Sequence, residues 1–217
     1  MNIAIFGASG ATGTLLTERC LAAGHNVNAL LRTPEKFPLR DRVRVIQGSP
    51  FDIAPVRQTI EGADVVLSAL GAKSLRKEDV LERAVPQIIA AMEETLSQAK
   101  PVRRIIVLGS AGALSTALDK QPAWRRWFVE NIVYNTFLKW PVASQISQWN
   151  NLSRSKLDWT MVMPPMLNNG AARGTYRVDG DALPRNGSRI SRADVADFMM
   201  QQIGSAQWIR KGVYISW

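Results

Sequence analysis

Three glycines at a spacing of three, in Gly7-Ala8-Ser9-Gly10-Ala11-Thr12-Gly13, stand between the apolar run Asn2 to Phe6 and a helical pattern carrying Leu15, Leu16, Cys20 and Leu21. A strand that turns sharply into a helix without Cβ atoms lets backbone N–H groups and the positive end of the helix approach a diphosphate closely. Ser9 and Thr12 add hydroxyl donors at the turn, and Ala11 opens the helix. A glycine triplet alone says little; a strand before it and an amphipathic helix after it make it a dinucleotide-binding signal.

A second group follows the apolar run Asn26 to Leu31, in Arg32-Thr33-Pro34-Glu35-Lys36. A site for NAD places a carboxylate at this strand end, on the ribose 2′-hydroxyl. No acid occupies it here, and Glu35, three residues on, is the competing candidate for the ribose. Arg32 can form charge-assisted bonds to a 2′-phosphate and stack on the adenine, with Lys36 near enough in sequence to help. The expected cofactor is therefore NADP (NADPH) rather than NAD.

The elements that must position these groups alternate. Apolar runs at Asn2 to Phe6, Asn26 to Leu31, Val43 to Ile46, Ala63 to Ser68 and Arg104 to Leu108 are separated by helical patterns over Ala11 to Ala23, Ile53 to Ile60 and Lys77 to Ala99. Continuous apolar strands alternating with helices imply a parallel sheet covered on both faces. The fold class expected is α/β, a Rossmann-like doubly wound, mainly parallel sheet flanked by helices on both faces. Gly24 and Gly62 stop the first two helices, and Pro86 should kink the third or mark its true first turn.

Beyond Leu108 the pattern predicts a Trp-rich helical stretch from Pro122 to Trp140, a helix over Val142 to Lys156 and a strand at Trp159 to Val162. The loop Met163 to Gly170, an extended piece at Thr175 to Val178, a helix from Ser191 to Ile203 and a last strand at Val213 to Ser216 complete it. Ser191 with Asp194 three residues later resembles a capping box. With no repeat, linker or domain break, residues 1–217 read as one domain, with substrate-side elements from about 110 to 190.

Ligands of open α/β sheets bind outside the carboxyl ends of the strands. That rule nominates Ser68-Ala69-Leu70-Gly71 and Gly109-Ser110-Ala111-Gly112, with Leu70, Gly71, Ser110 and Ala111 as cofactor contacts, and Asp52 within reach of the adenine. His25 lies in a helix-to-strand turn at the far end of the sheet and reads as structural.

Composition narrows the setting. The net charge of +9 comes from scattered Lys and Arg rather than one basic stripe, so no specific nucleic acid is expected as partner. No apolar run approaches the roughly 20 residues of a membrane span and no leader pattern is present, which reads as cytoplasmic without a membrane partner. The single cysteine, Cys20, excludes an intrachain disulfide and a multi-cysteine metal site, and its helical setting predicts a buried thiol. No metal site is expected, and the chain is expected as a monomer or homodimer.

With these residues in hand, the chain resembles the atypical short-chain dehydrogenase/reductase superfamily, in the NAD(P)H-binding branch that includes flavin reductase/biliverdin-IXβ reductase and NmrA-like proteins. The resemblance covers nearly the whole chain. It rests on Ala4 to Gly13, Leu31-Arg32, Val107-Leu108-Gly109-Ser110-Ala111, Val162-Met163-Pro164-Pro165 and Ile190 to Ala196. It implies that Gly7, Gly10, Gly13 and Arg32 hold NADP, that Ser110 borders the nicotinamide and is the candidate catalytic residue, and that the backbone at Met163, Pro164 and Pro165 closes over the ring.

The departures carry as much weight. Relatives that reduce alcohols and ketones use a Tyr and a Lys four residues later to move the proton, and no such pair is present. Tyr134 and Lys139 are five apart, turned ~140° from each other on an α-helix. The family's lysine falls at Asn150, and the flavin reductase histidine at Met166. The Trp124 to Trp140 stretch is longer and more aromatic than the flavin reductase pattern, reading as core or subunit contact, or as a stacking face for a planar acceptor.

Two functions remain open. The leading expectation is an NADPH-dependent reductase of a small planar acceptor, flavin or quinone-like, with the proton drawn from water. The alternative is an NmrA-like protein that senses NADP and regulates a partner without catalysis. Epimerase or dehydratase chemistry is disfavoured because it also requires the Tyr/Lys pair.

Overall fold

The computed structural model describes residues 1–72 and 76–217. Its first half builds the alternation read from the sequence: β1 (Asn2–Phe6), α1 (Ala11–Ala22), β2 (Asn26–Leu31), β3 (Arg44–Gln47), α2 (Ile53–Ile60), β4 (Val65–Ser68), α3 (Val80–Glu94) and β5 (Arg104–Leu108). After these come α4 (Ala123–Phe128), α5 (Lys139–Arg154), β6 (Asp158–Met163), β7 (Met166–Asn168), β8 (Arg177–Asp179), β9 (Arg189–Ser191), α6 (Arg192–Gln201) and β10 (Lys211–Ser216).

Among the described residues one sheet has eight strands in the order β3-β2-β1-β4-β5-β6-β10-β8, all parallel except the antiparallel edge pair of β10 with β8. Ile3, Ala4, Ile5 and Phe6 of β1 are each fully buried, as a central strand covered on both faces requires. The core divides into two layers. Ala4, Phe6 and Val66 point to the layer packed by α2, α3 and α5, while Ile3, Ile5 and Leu67 point to the layer packed by α1 and α6. Strand order reverses between β1, whose chain moves outward through β2 and β3, and β4, which lies on its other side. Such a switch point leaves a crevice at the strand ends.

Several boundaries differ from the sequence reading. Helix α3 begins at Val80 and gives way to a 3-10 turn over Thr95–Ser97, and Pro86 lies well inside it rather than in its first turn. The stretch expected as one helix from Pro122 to Trp140 is a short α4 continued by a π-helix over Val129–Phe137. Val129 and Tyr134 of this π-helix pack against the core. The segment after Met163 is not all loop, because Met166–Asn168 pairs in parallel with Arg189–Ser191.

The N-cap half of the expected box at α6 is present: the Asp194 N–H donates to Ser191 Oγ at 3.0 Å, while Ser191 Oγ, rather than the Ser191 backbone N–H, donates to Asp194 Oδ2 at 2.8 Å. Cys20 is fully buried against Met200 Sδ at 3.3 Å, and burial pushes its thiol up to about 12. The Arg104 guanidinium is lowered by burial to about 10; it donates to the carbonyls of Asp158 and Gln202, each at 2.8 Å, and so pins the chain after α6 to β6. No described helix is long and apolar enough to cross a membrane.

Candidate functional site

The glycine turn is built by contacts that leave no room for a side chain. Gly7 has φ of +80°, and a Cβ there would stand 2.8 Å from the Ala69 carbonyl at the end of β4. A Cβ on Gly13 would lie 2.0 Å from the Gly7 carbonyl oxygen, so α1 rests directly on the turn that precedes it. Gly10 donates its N–H to that oxygen at 3.0 Å and caps α1 with no side-chain acceptor, and no acidic residue stands in the first turn. The leading N–H groups of α1, at Ala11 and Thr12, therefore face outward with the positive end of the helix behind them.

This turn forms the middle of a cleft of about 920 Å³ at the carboxyl ends of the strands. At one end lie Leu30 of β2 and Arg32 just past it, with Pro50 and Phe51 from the loop after β3. The Arg32 side chain is exposed and makes no hydrogen bond or ion pair with a described residue. Phe51 has one face covered by the Arg83 guanidinium, 4.1 Å from the ring centroid, and its ring lines the cleft. At the other end the walls are Leu70 and Gly71 after β4, Gly109 and Ser110 after β5, and Pro141, Ser144 and Gln145 on α5, with Leu167 and Arg192 beyond.

Of the residues nominated from sequence, Gly7, Ser9, Gly10, Ala11, Thr12, Arg32, Leu70, Gly71 and Ser110 come together on this cleft. Gly13 lies beneath the turn, not on the wall. Lys36 is exposed on a 3-10 turn, and Asp52 is exposed at the start of α2; neither lines the cleft. Ala111, Met163 and Pro164 are buried, and Pro165 is half-buried. The Ala111 N–H donates to the Pro164 carbonyl at 2.9 Å and the Gly109 N–H to the Val162 carbonyl at 2.7 Å. The Met-Pro-Pro segment thus holds the loop after β5 in place. A Cβ on Gly109 would stand 2.4 Å from Met161 Cε, the flexible end of a side chain that would have to move aside.

The positions where relatives keep a proton donor behave differently. Asn150 is exposed on α5 and away from the cleft; Ser144 and Gln145 are the polar α5 residues that face it. Met166 is 69% exposed in β7. The ~140° separation assumed for Tyr134 and Lys139 does not apply, because Tyr134 sits in the wider π-helical winding. Its hydroxyl would lie 3.5 Å from a Cβ on Gly112, behind the cleft, and burial, then the nearby Glu130 carboxylate, raises its pKa. Lys139 is exposed over the Trp140 ring instead. Trp124 and Trp127 are 73% and 61% exposed and outside the cleft, so these two form neither core nor cleft wall. Helical periodicity had no means of telling an exposed aromatic face from a buried one.

Phe51, Ser144 and Gln145 were not found from sequence. The loop after β3 that holds Asp52 puts Phe51, one residue earlier, on the cleft wall; the two α5 residues carry no short-range motif.

Known proteins match the chain along most of its length. A family model described as NAD(P)H-binding matches residues 7–206. The Bacillus subtilis protein YwnB, itself uncharacterized, is 26% identical over 220 residues, covering 94% of this chain and 92% of its own. A short-chain dehydrogenase/reductase of Veillonella parvula solved in complex with NADP has a TM-score of 0.79 at 20% identity, over 100% of this chain and 94% of its own. ChuY, an anaerobillin reductase of Escherichia coli O157:H7, has a TM-score of 0.79 at 21% identity, over 100% and 97%. These structural likenesses show the fold.

Proposed function

This chain belongs to the NAD(P)H-binding family, and from that premise we propose that it is an NADPH-dependent reductase of a planar acceptor, flavin or quinone-like, of the atypical short-chain dehydrogenase type. The observation that carries the proposal is the course of the cleft, which runs from the unpaired Arg32 guanidinium past the bare N-terminus of α1 to Ser110 and the wall of α5. Arg32 matches a 2′-phosphate in charge and in its forked donors. The N–H groups of Ala11 and Thr12 and the hydroxyls of Ser9 and Thr12 suit the diphosphate, with Phe51 and Pro50 at the adenine. The roles expected of Lys36 at the 2′-phosphate and of Asp52 at the adenine would need both side chains to reach in from outside the cleft wall. The complex of the Veillonella enzyme with NADP and the reductase activity named for ChuY support this reading.

When bound, the cofactor supplies the hydride. The chain's own contribution is orientation and exclusion of water: Leu108, Gly109 and Leu167 give the far end an apolar floor, and Ser110 stands where a reacting ring would lie. None of the described residues lining the cleft is a Tyr, His, Lys or Cys; Glu78 is the carboxylic acid among them, and in this reading the proton for the reduced acceptor comes from water. An acceptor whose reduced form is stable as an anion suits that arrangement best.

The same wall composition favours the second reading, an NmrA-like NADP sensor. Steady-state NADPH oxidation with FMN, riboflavin and small quinones separates the two. Turnover above the enzyme-free rate with at least one acceptor is expected; tight NADPH binding without turnover on any of them would move the assignment to the sensor.

A further inference from the structure

Behind the far end of the cleft, a chain of hydrogen bonds fixes the polarity of two side chains that the proposed chemistry does not otherwise use. Gln148 of α5 is fully buried, and its Nε2 lies 3.2 Å from both the Leu108 carbonyl oxygen and Gln145 Oε1. A carbonyl oxygen can only accept, so Gln148 must turn its NH2 group to Leu108. The second hydrogen of that group then goes to Gln145 Oε1, while Gln148 Oε1 is left buried without a partner. With its carbonyl engaged by Gln148, Gln145, which lines the cleft, has its own NH2 group left to donate.

Ser144, one residue earlier, is oriented in the opposite sense. Its Oγ donates to the Glu82 carboxylate at 2.6 Å, with the Glu78 carbonyl a second acceptor at 3.4 Å. A hydroxyl has one hydrogen. With that hydrogen directed at α3, Ser144 offers the cleft only lone pairs. The geometry holds because Ser144 is 5% exposed and Glu82 Oε2 is buried with no partner, which leaves the carboxylate little freedom to release the hydroxyl.

We infer that Ser144 and Gln145 together read an amide edge, a neighbouring N–H and C=O, on the ligand at the far end of the cleft. Ser144 Oγ accepts from the ligand's N–H and the Gln145 amide donates to its C=O. Two ligands carry such an edge: the carboxamide of the nicotinamide, and the cyclic imide or lactam of a planar acceptor. A simple quinone lacks it, so an acceptor read by this pair is a nitrogen heterocycle. The inference rests on the cofactor reading above, and the two fail differently.

The test measures binding rather than turnover. NADP+ and 2′-phospho-ADP-ribose, which has no nicotinamide, are titrated by calorimetry into wild type, Gln145→Leu and Ser144→Ala. Lumiflavin and 3-methyllumiflavin, whose imide N–H is blocked, are then titrated into the NADP+ complexes. If the pair reads the carboxamide, the advantage of NADP+ over the truncated nucleotide falls about threefold to tenfold in each variant. Unchanged binding of 2′-phospho-ADP-ribose certifies that the variants are folded. If the pair reads the acceptor, NADP+ binding holds and the preference for lumiflavin over its methylated form is lost in Ser144→Ala. Unchanged ratios in both variants overturn the inference, whereas failure of wild type to bind either nucleotide overturns the cofactor reading beneath it.

Discussion

Gly13→Ala is expected to lower stability by on the order of 3 kcal/mol, which for a chain of this length moves the thermal midpoint down by roughly 10 °C. The methyl group would lie 2.0 Å from the Gly7 carbonyl oxygen and 2.8 Å from its carbon. Both partners are backbone, so no rotamer change relieves the contact and α1 has to lift from β1. That movement takes the N–H groups of Ala11 and Thr12 out of register with the turn. NADPH binding is therefore expected to fall at least about tenfold beyond what unfolding explains. Thermal unfolding with and without NADPH checks both effects. A variant with the wild-type midpoint and the wild-type ligand-induced shift would show that the helix does not rest on the turn as described.

The second large effect is expected at Asp194, which does not line the cleft. Its carboxylate accepts from the Arg173 and Gly174 N–H groups at 3.0 and 2.9 Å, from Ser191 Oγ at 2.8 Å and from Trp217 Nε1 at 2.8 Å. Burial alone would raise its pKa; the donors from Gly174, Arg173, Ser191 and Trp217 outweigh that and hold it below the usual carboxylate range. Asp194→Ala leaves these donors unsatisfied, the Ser191 cap hydroxyl among them, a loss of about 3 kcal/mol. The pH dependence follows from the direction of the shift. With the folded pKa below the unfolded value, the contribution is complete above the unfolded pKa of about 4 and disappears as the pH falls through the folded one. Urea unfolding should thus show a wild-type advantage that is constant near neutrality and shrinks in acid. A gap between wild type and variant that does not narrow in acid would place the effect elsewhere, in packing.

Both sites were visible in the sequence through their local part only, since the Arg173, Gly174 and Trp217 donors to Asp194 come from 20 to 23 residues away. The Gly7 to Gly13 turn and the Ser191/Asp194 cap are local structures whose residue types follow from backbone geometry. The strands were legible because burial on both faces demands unbroken runs such as Ile3-Ala4-Ile5-Phe6.

What was hidden is tertiary. Ser144 and Gln145 acquire meaning only when α3 brings Glu82 against α5 and β5 presents the Leu108 carbonyl to Gln148. The strand Met166–Asn168 is too short to leave a pattern and exists through pairing with Arg189–Ser191. Pro86 misled because a proline costs a helix most where its missing N–H would be used. Packing of Leu81, Val85, Ile88 and Met92 into the core carries α3 through it.

The central claim is that the cleft takes NADPH with Arg32 on the 2′-phosphate. Calorimetric titration of wild type and Arg32→Ala with NADPH and with NADH tests it most directly. The expected result is tighter binding of NADPH than NADH by wild type. In the variant NADPH should lose ~1 to 3 kcal/mol while NADH changes little. Equal losses for the two cofactors, or no binding of NADPH by wild type, would contradict it.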